Sequence, residues 1–323
     1  MDVAPGALAG AVIGSVLGTA ILCLLISLLY FRHTRIHRNV REFEETKSGM
    51  DKNRHSARYS NESSGIPMGQ YAPPHKASRH SQFPNIDLAR YTPEPVDDNT
   101  VSTRLLTIFD QASLHIENFY SPTASPALTS TTAVQTAQFQ SPYLPGPLEA
   151  LLSTPRNQRA VLTHVLVRTL LSATQPGSGE QTLLPPALAS APQPQASYSS
   201  QDTDQALFAW RMLTIHLYER DPSPPPHAAI ARLAETFTSA FAPYGDSSLA
   251  ESRRIAHLAD VAKAAADTGA WLFKHPCTFS FVWSDPTANG EIDTHPAIIK
   301  VTDEHGRRLS RGQVLAEPTQ GKL

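Results

Sequence analysis

The chain has 323 residues, with 27 Lys plus Arg against 29 Asp plus Glu for a net charge of −2, and two cysteines, Cys23 and Cys277. This balance excludes a general nucleic-acid binder, whose phosphate contacts need a basic surface. Two cysteines so far apart also exclude an extracellular domain stapled by disulfides.

A short stub, residues 1–6, precedes an uncharged run from Ala7 to Phe31. About 25 helical residues at ~1.5 Å each make a rod of roughly 37 Å, enough to cross a ~30 Å hydrocarbon core, so residues 7–31 read as a transmembrane helix. No basic residue precedes the run, and it is too long for the apolar region of a cleaved signal peptide. Arg32, Arg35, Arg38 and Arg41 follow at once, which orients the amino terminus outside and the carboxyl terminus in the cytoplasm. A long span favours the plasma membrane over the endoplasmic reticulum or the mitochondrial outer membrane. Gly6, Gly10, Gly14 and Gly18 fall on one helix face, where small residues let two spans approach closely, so a homo-dimer through this glycine row is the candidate helix association.

Residues 32–97 show no sustained periodicity and are rich in Arg, His, Ser, Pro and Asn, the texture of a disordered basic linker that adheres to anionic lipid headgroups of the bilayer. Arginine stands two residues before Ser56, Ser60 and Ser81, the pattern a basophilic kinase reads, and phosphate there would weaken that adhesion. Asn61-Glu62-Ser63 matches a glycosylation acceptor but reads as a chance match in a polar linker.

Residues 98–316 read as a cytosolic helical domain. Val101, Leu105, Ile108, Phe109, Ala112, Ile116 and Phe119 recur at helical spacing behind the candidate caps Asn99 and Thr100. A second helix starts at Thr154-Pro155, and a third covers the stretch after its candidate cap Asp202 and stops before Pro222. A fourth runs from about His227 to Phe241, and a fifth from about Ser247 to Lys274. After Pro276, "CTFSFVW" and "AIIKVTD" are β-type runs, with His305-Gly306 as a turn. The long segments 121–146 and 174–201 read as flexible loops and 317–323 as a tail. The expected fold class is therefore mainly α: a single amino-terminal transmembrane helix, a disordered linker and a bundle of about five helices with a small carboxyl-terminal β element.

Chemistry-bearing motifs are sparse. The histidines form no His-Glu-x-x-His pair, and His164, His216 and His257 read as structural residues within helices. No phosphate-cradling glycine loop and no Gly-x-Ser-x-Gly elbow occur. In "DPTANGEID" Asp285, Asn289 and Gly290 imitate a calcium loop, but its twelfth position is Pro296, so a polar turn is the better reading. Cys277 reads as a small buried residue, and Trp210, Trp271 and Trp283 as core aromatics. No catalytic, metal or cofactor residue is assigned.

The strings "LLSTP", "RAVLTHVLVRTLL", "AWRMLTIHLY", "FSFVWSDP" and "HPAIIKVTDEHGRRL" resemble those of uncharacterised single-pass membrane proteins of filamentous fungi, over roughly residues 98–316. That resemblance implies no activity and no site residue. The function expected from the sequence is a membrane-anchored interaction or adaptor protein with an unknown cytosolic protein partner and no nucleic acid. The alternative is a tethered enzyme whose site is assembled from sequence-distant residues.

Overall fold

A computed structural model describes residues 87–121, 130–190, 201–220, 226–285 and 290–323, all within one unit, Ser81–Leu323. Eight α-helices and five strands are seen among them. The helix α1 is Asp98–Phe119, α2 Ser130–Ala137, α3 Leu148–Leu152, α4 Pro155–Ala173, α5 Pro186–Ala189, α6 Gln201–Arg220, α7 His227–Ala240 and α8 Glu251–Lys274. The strands are β1 Phe279–Val282, β2 Glu291–His295, β3 Ala297–Thr302, β4 Arg308–Ala316 and β5 Thr319–Lys322.

These elements correct the expected fold class. No helix among the described residues is long and apolar enough to cross a membrane, so the single-pass membrane class, and with it a location defined by a span with the amino terminus outside, is not retained. The long helices α1 and α8 are amphipathic instead. The longest, α8, buries Leu258, Val261, Ala262, Ala265 and Ala266 on one side while Arg253, Lys263 and Asp267 face water. The run Ala7–Phe31 lies outside the described residues, as do Gly6, Gly10, Gly14, Gly18 and Ser56, Ser60, Ser81. The described part holds more than five helices, and the expected small carboxyl-terminal β element is two sheets: antiparallel β1-β3-β4 and antiparallel β2-β5.

Local chemistry sets the ends. The cap of α1 is Asp97, whose carboxylate accepts from Thr100 N at 2.9 Å and from the Thr100 hydroxyl at 2.6 Å, so Asn99 and Thr100 lie inside the helix. Pro155 takes the first position of α4, where the missing N–H costs nothing, while Thr154 makes no side-chain cap bond. Asp202 lies within the first turn of α6. The β3–β4 turn closes on Gly306, at φ 72°, a left-handed conformation that glycine adopts without strain.

Helix α4 is buried on most of its circumference and runs between α1, α8 and β2. Its Leu162, Val165, Leu166 and Leu170 meet Leu105, Phe109 and Ile116 of α1 and the alanine face of α8 in the main core. Phe139, Phe237 and Phe241 form an aromatic triad there, with centroids 4.7 to 5.5 Å apart. Within the segments between the major helices, Leu144, Leu148, Leu183 and Leu188 are buried, which explains the short helices α3 and α5 found there. A second, smaller core of Leu184, Leu188, Phe208, Met212, Ile215 and Phe273 joins α5 and α6 to the end of α8. The tryptophans are half-buried rather than central. Trp271 takes the Arg104 guanidinium 4.5 Å over its ring, and Trp283 meets His164 edge-on at 4.6 Å.

Candidate functional site

A cavity of about 500 Å³ opens where the smaller core meets the three-stranded sheet. Phe208 and Arg211 of α6, Gly269 and Phe273 of α8, and Phe279 and Ser280 of β1 form its walls. The helices crowd closely here. A Cβ on Gly269 would stand 2.6 Å from Thr174 Cβ, and one on Gly306 would stand 2.4 Å from Phe208, so both glycines are needed for the walls to close.

Arg211 is the unusual member. Positions 208, 211, 212 and 215 share the inward face of α6, so an arginine sits in an apolar stripe between Phe208, Met212 and Ile215. Its guanidinium donates to the Thr278 hydroxyl at 3.0 Å, to the Pro276 carbonyl, and to the Cys277 carbonyl at 3.5 Å. Its Nε is shut off from solvent and has no hydrogen-bond partner. Burial lowers the pKa of this arginine to about 10, which still leaves it charged at pH 7. Beside it Cys277 is 1% exposed, and burial raises its thiol pKa. The intervening turn is held by His275, whose Nδ1 accepts from Cys277 N at 3.1 Å, leaving Nε2–H to donate to the Val96 carbonyl at 3.2 Å. At the rim Arg308 pairs with Asp204 at 3.1 Å.

Two further buried polar groupings lie away from the cavity. In the first, His115 and His257 face each other, Nδ1 to Nδ1 at 3.1 Å, against Phe119 and Tyr120. Arg254 lies over the Tyr120 ring at 5.4 Å, and the buried Tyr120 hydroxyl lies against Thr238. Burial, then the neighbouring His257 and Arg254, brings His115 down to about 3, and burial keeps the Tyr120 phenol protonated well above its ordinary range. In the second, His164 Nδ1 donates to the Asp293 carbonyl at 2.6 Å, so its Nε2 accepts from the Ser141 hydroxyl at 2.8 Å. Burial is the main cause lowering the His164 pKa.

Of the residues noted from sequence, His164 sits in a buried bonded pair, the half-buried His257 faces the buried His115, and His216 meets Tyr91 edge-on at 5.0 Å. The structure does not bring them together. His115, Arg211 and Arg254 were missed, although each stands in register with an apolar stripe: His115 between Ala112 and Phe119, and Arg254 four residues before Leu258. A polar residue on the inward face of an otherwise amphipathic helix was the available signal. Among the described residues no three His, Cys, Asp or Glu side chains assemble in a way that would hold a metal ion. No family model, curated protein or solved structure matches the chain.

Proposed function

We propose that the chain is an interaction protein, and that residues 87–323 include its recognition domain, with the cavity at the helix–sheet joint as the binding site. One observation carries this reading: a space of about 500 Å³ with aromatic residues in its walls and a half-buried arginine that no acidic side chain meets among the described residues. A space of that size suits a side chain or small group of a partner. A peptide-display library panned on the full chain should yield sequences that fail to bind a Ser280→Trp variant, in which an indole fills the cavity from β1. No enrichment on the wild-type chain, or equal enrichment on a folded variant, would reject the reading.

The enzyme alternative has one observation in its favour. Ser141, His164 and the Asp293 carbonyl line up as hydroxyl, base and orienting acceptor. Ser141 is only 2% exposed, however, and does not line the cavity, so no substrate reaches it. The hydroxyl and ring are better read as mutual satisfaction of buried polar atoms. A fluorophosphonate probe should accordingly leave Ser141 unlabelled in the native chain, as read by peptide mass mapping. Stoichiometric labelling would restore the enzyme reading.

A further inference from the structure

We infer that the cavity takes a single carboxylate carried on an apolar body, with Arg211 as its counter-ion; this rests on the binding reading above and specifies its chemistry. The charge balance comes first. The residues lining the cavity include three with charged side chains, Asp204, Arg211 and Arg308. Asp204 and Arg308 form a salt bridge with each other at the rim, which leaves the one positive charge of Arg211. A monoanion neutralises it, whereas a phosphate dianion would bring a second charge with no lining cation to meet it.

The donor count agrees. A guanidinium has five N–H groups, and three are directed to Thr278, Pro276 and Cys277. Those three bonds, one from Nη1 and two from Nη2, hold the plane of the group fixed, so the second Nη1–H is already ordered for an incoming oxygen. A half-buried guanidinium with no acidic partner is incompletely compensated, and a carboxylate bound there would supply the missing counter-charge. The rest of the ligand is defined by the walls. Phe208, Phe273, Phe279 and Phe281 present rings and no acceptor beyond the backbone, which suits an aromatic or branched aliphatic body. Two sources share this chemistry: a free organic acid, and the terminal carboxylate of a protein chain that ends in an apolar residue.

Titration calorimetry on the full chain separates them. The probes are 3-phenylpropionate with its amide, and acetyl-Ala-Ala-Phe with a free or an amidated terminus. In at least one pair the acid should bind about tenfold more tightly than the amide, the effect of a charge-assisted hydrogen bond, and the pair that shows it identifies the source. Arg211→Gln should erase the difference between acid and amide. Since that change also removes bonds holding the 276–278 turn, Ser280→Trp serves as the second variant, blocking the acid while leaving the guanidinium in place. The inference is overturned if neither acid binds the wild-type chain, if acid and amide bind alike, or if a folded Ser280→Trp chain binds the acid unchanged. Display peptides that are lost on Ser280→Trp, combined with equal binding of acid and amide, would leave the recognition reading standing and remove only the carboxylate. An acid that binds with no display peptide selected would do the reverse.

Discussion

Between pH 7 and pH 4 the folded domain is expected to lose several kcal/mol of stability, through its buried histidines rather than its carboxylates. The main contributor is His115, which is fully buried and whose pKa falls from 6.5 to about 3 on folding. The unfolded chain takes up a proton below about 6.5 while the folded chain does not, so stability is fully present above that value and declines as the pH drops toward 3. At ~1.4 kcal/mol per pH unit this one ring contributes roughly 3 kcal/mol of loss at pH 4. Geometry gives the reason: two N–H groups cannot face each other across the 3.1 Å between His115 and His257, and Arg254 adds its charge nearby. His164, His275 and His295 are lowered as well, each mainly by burial, and act in the same direction. Asp97, Asp246 and Asp303 are lowered too, but their contributions vanish only below their ordinary value of 3.8. Urea unfolding at stepped pH should show the decline, and His115→Phe should make it shallower. A flat stability between pH 6.5 and pH 4 would contradict a buried neutral His115.

The substitution with the largest expected effect is Phe237→Ala, at about 3 to 5 kcal/mol. Phe237 is 0% exposed and lies in contact with three other rings: Phe241 at 4.7 Å, Phe139 at 5.5 Å and Tyr120 at 6.3 Å between centroids. Each neighbour belongs to a different stretch of chain, so one truncation opens a cavity shared by α7, the end of α1 and the segment after α2. Tyr120 and Phe139 meet Phe237 edge-to-face and Phe241 meets it tilted, a close packing that limits how far the rings can collapse into the space. Phe237→Leu keeps much of the volume and should cost under about 1.5 kcal/mol. Chemical denaturation of the two variants side by side reads the difference, and an alanine variant as stable as the leucine variant would mean that Phe237 is not at the centre of the core.

The major helices of the folded part were legible because their apolar residues recur at three- and four-residue spacing. Val101 through Phe119 of α1 and Leu258 through Ala266 of α8 are buried on the faces that periodicity marks. The β-type runs at 279–282 and 297–302 were legible for a similar reason, since β-branched and aromatic residues suit a pleated surface. The membrane assignment came from composition in a stretch outside the described residues, and no described helix is long and apolar enough to support it. Trp210, Trp271 and Trp283 were read as core on residue type alone, yet each keeps one side in solvent, as large rings with a polar nitrogen often do.

The sequence by itself determined where the long helices run and which of their faces turn inward, because both follow from a spacing of a few residues along one chain. Only the tertiary structure decided which inward residues meet. His115 and His257 are 142 positions apart, His164 and the Asp293 carbonyl 129, and Arg211 and Thr278 67, and no local pattern encodes such distances. The cavity around Arg211 is a property of that assembly: it exists because α6, the end of α8 and β1 converge, whereas periodicity alone marks the arginine as inward-facing without showing what it meets.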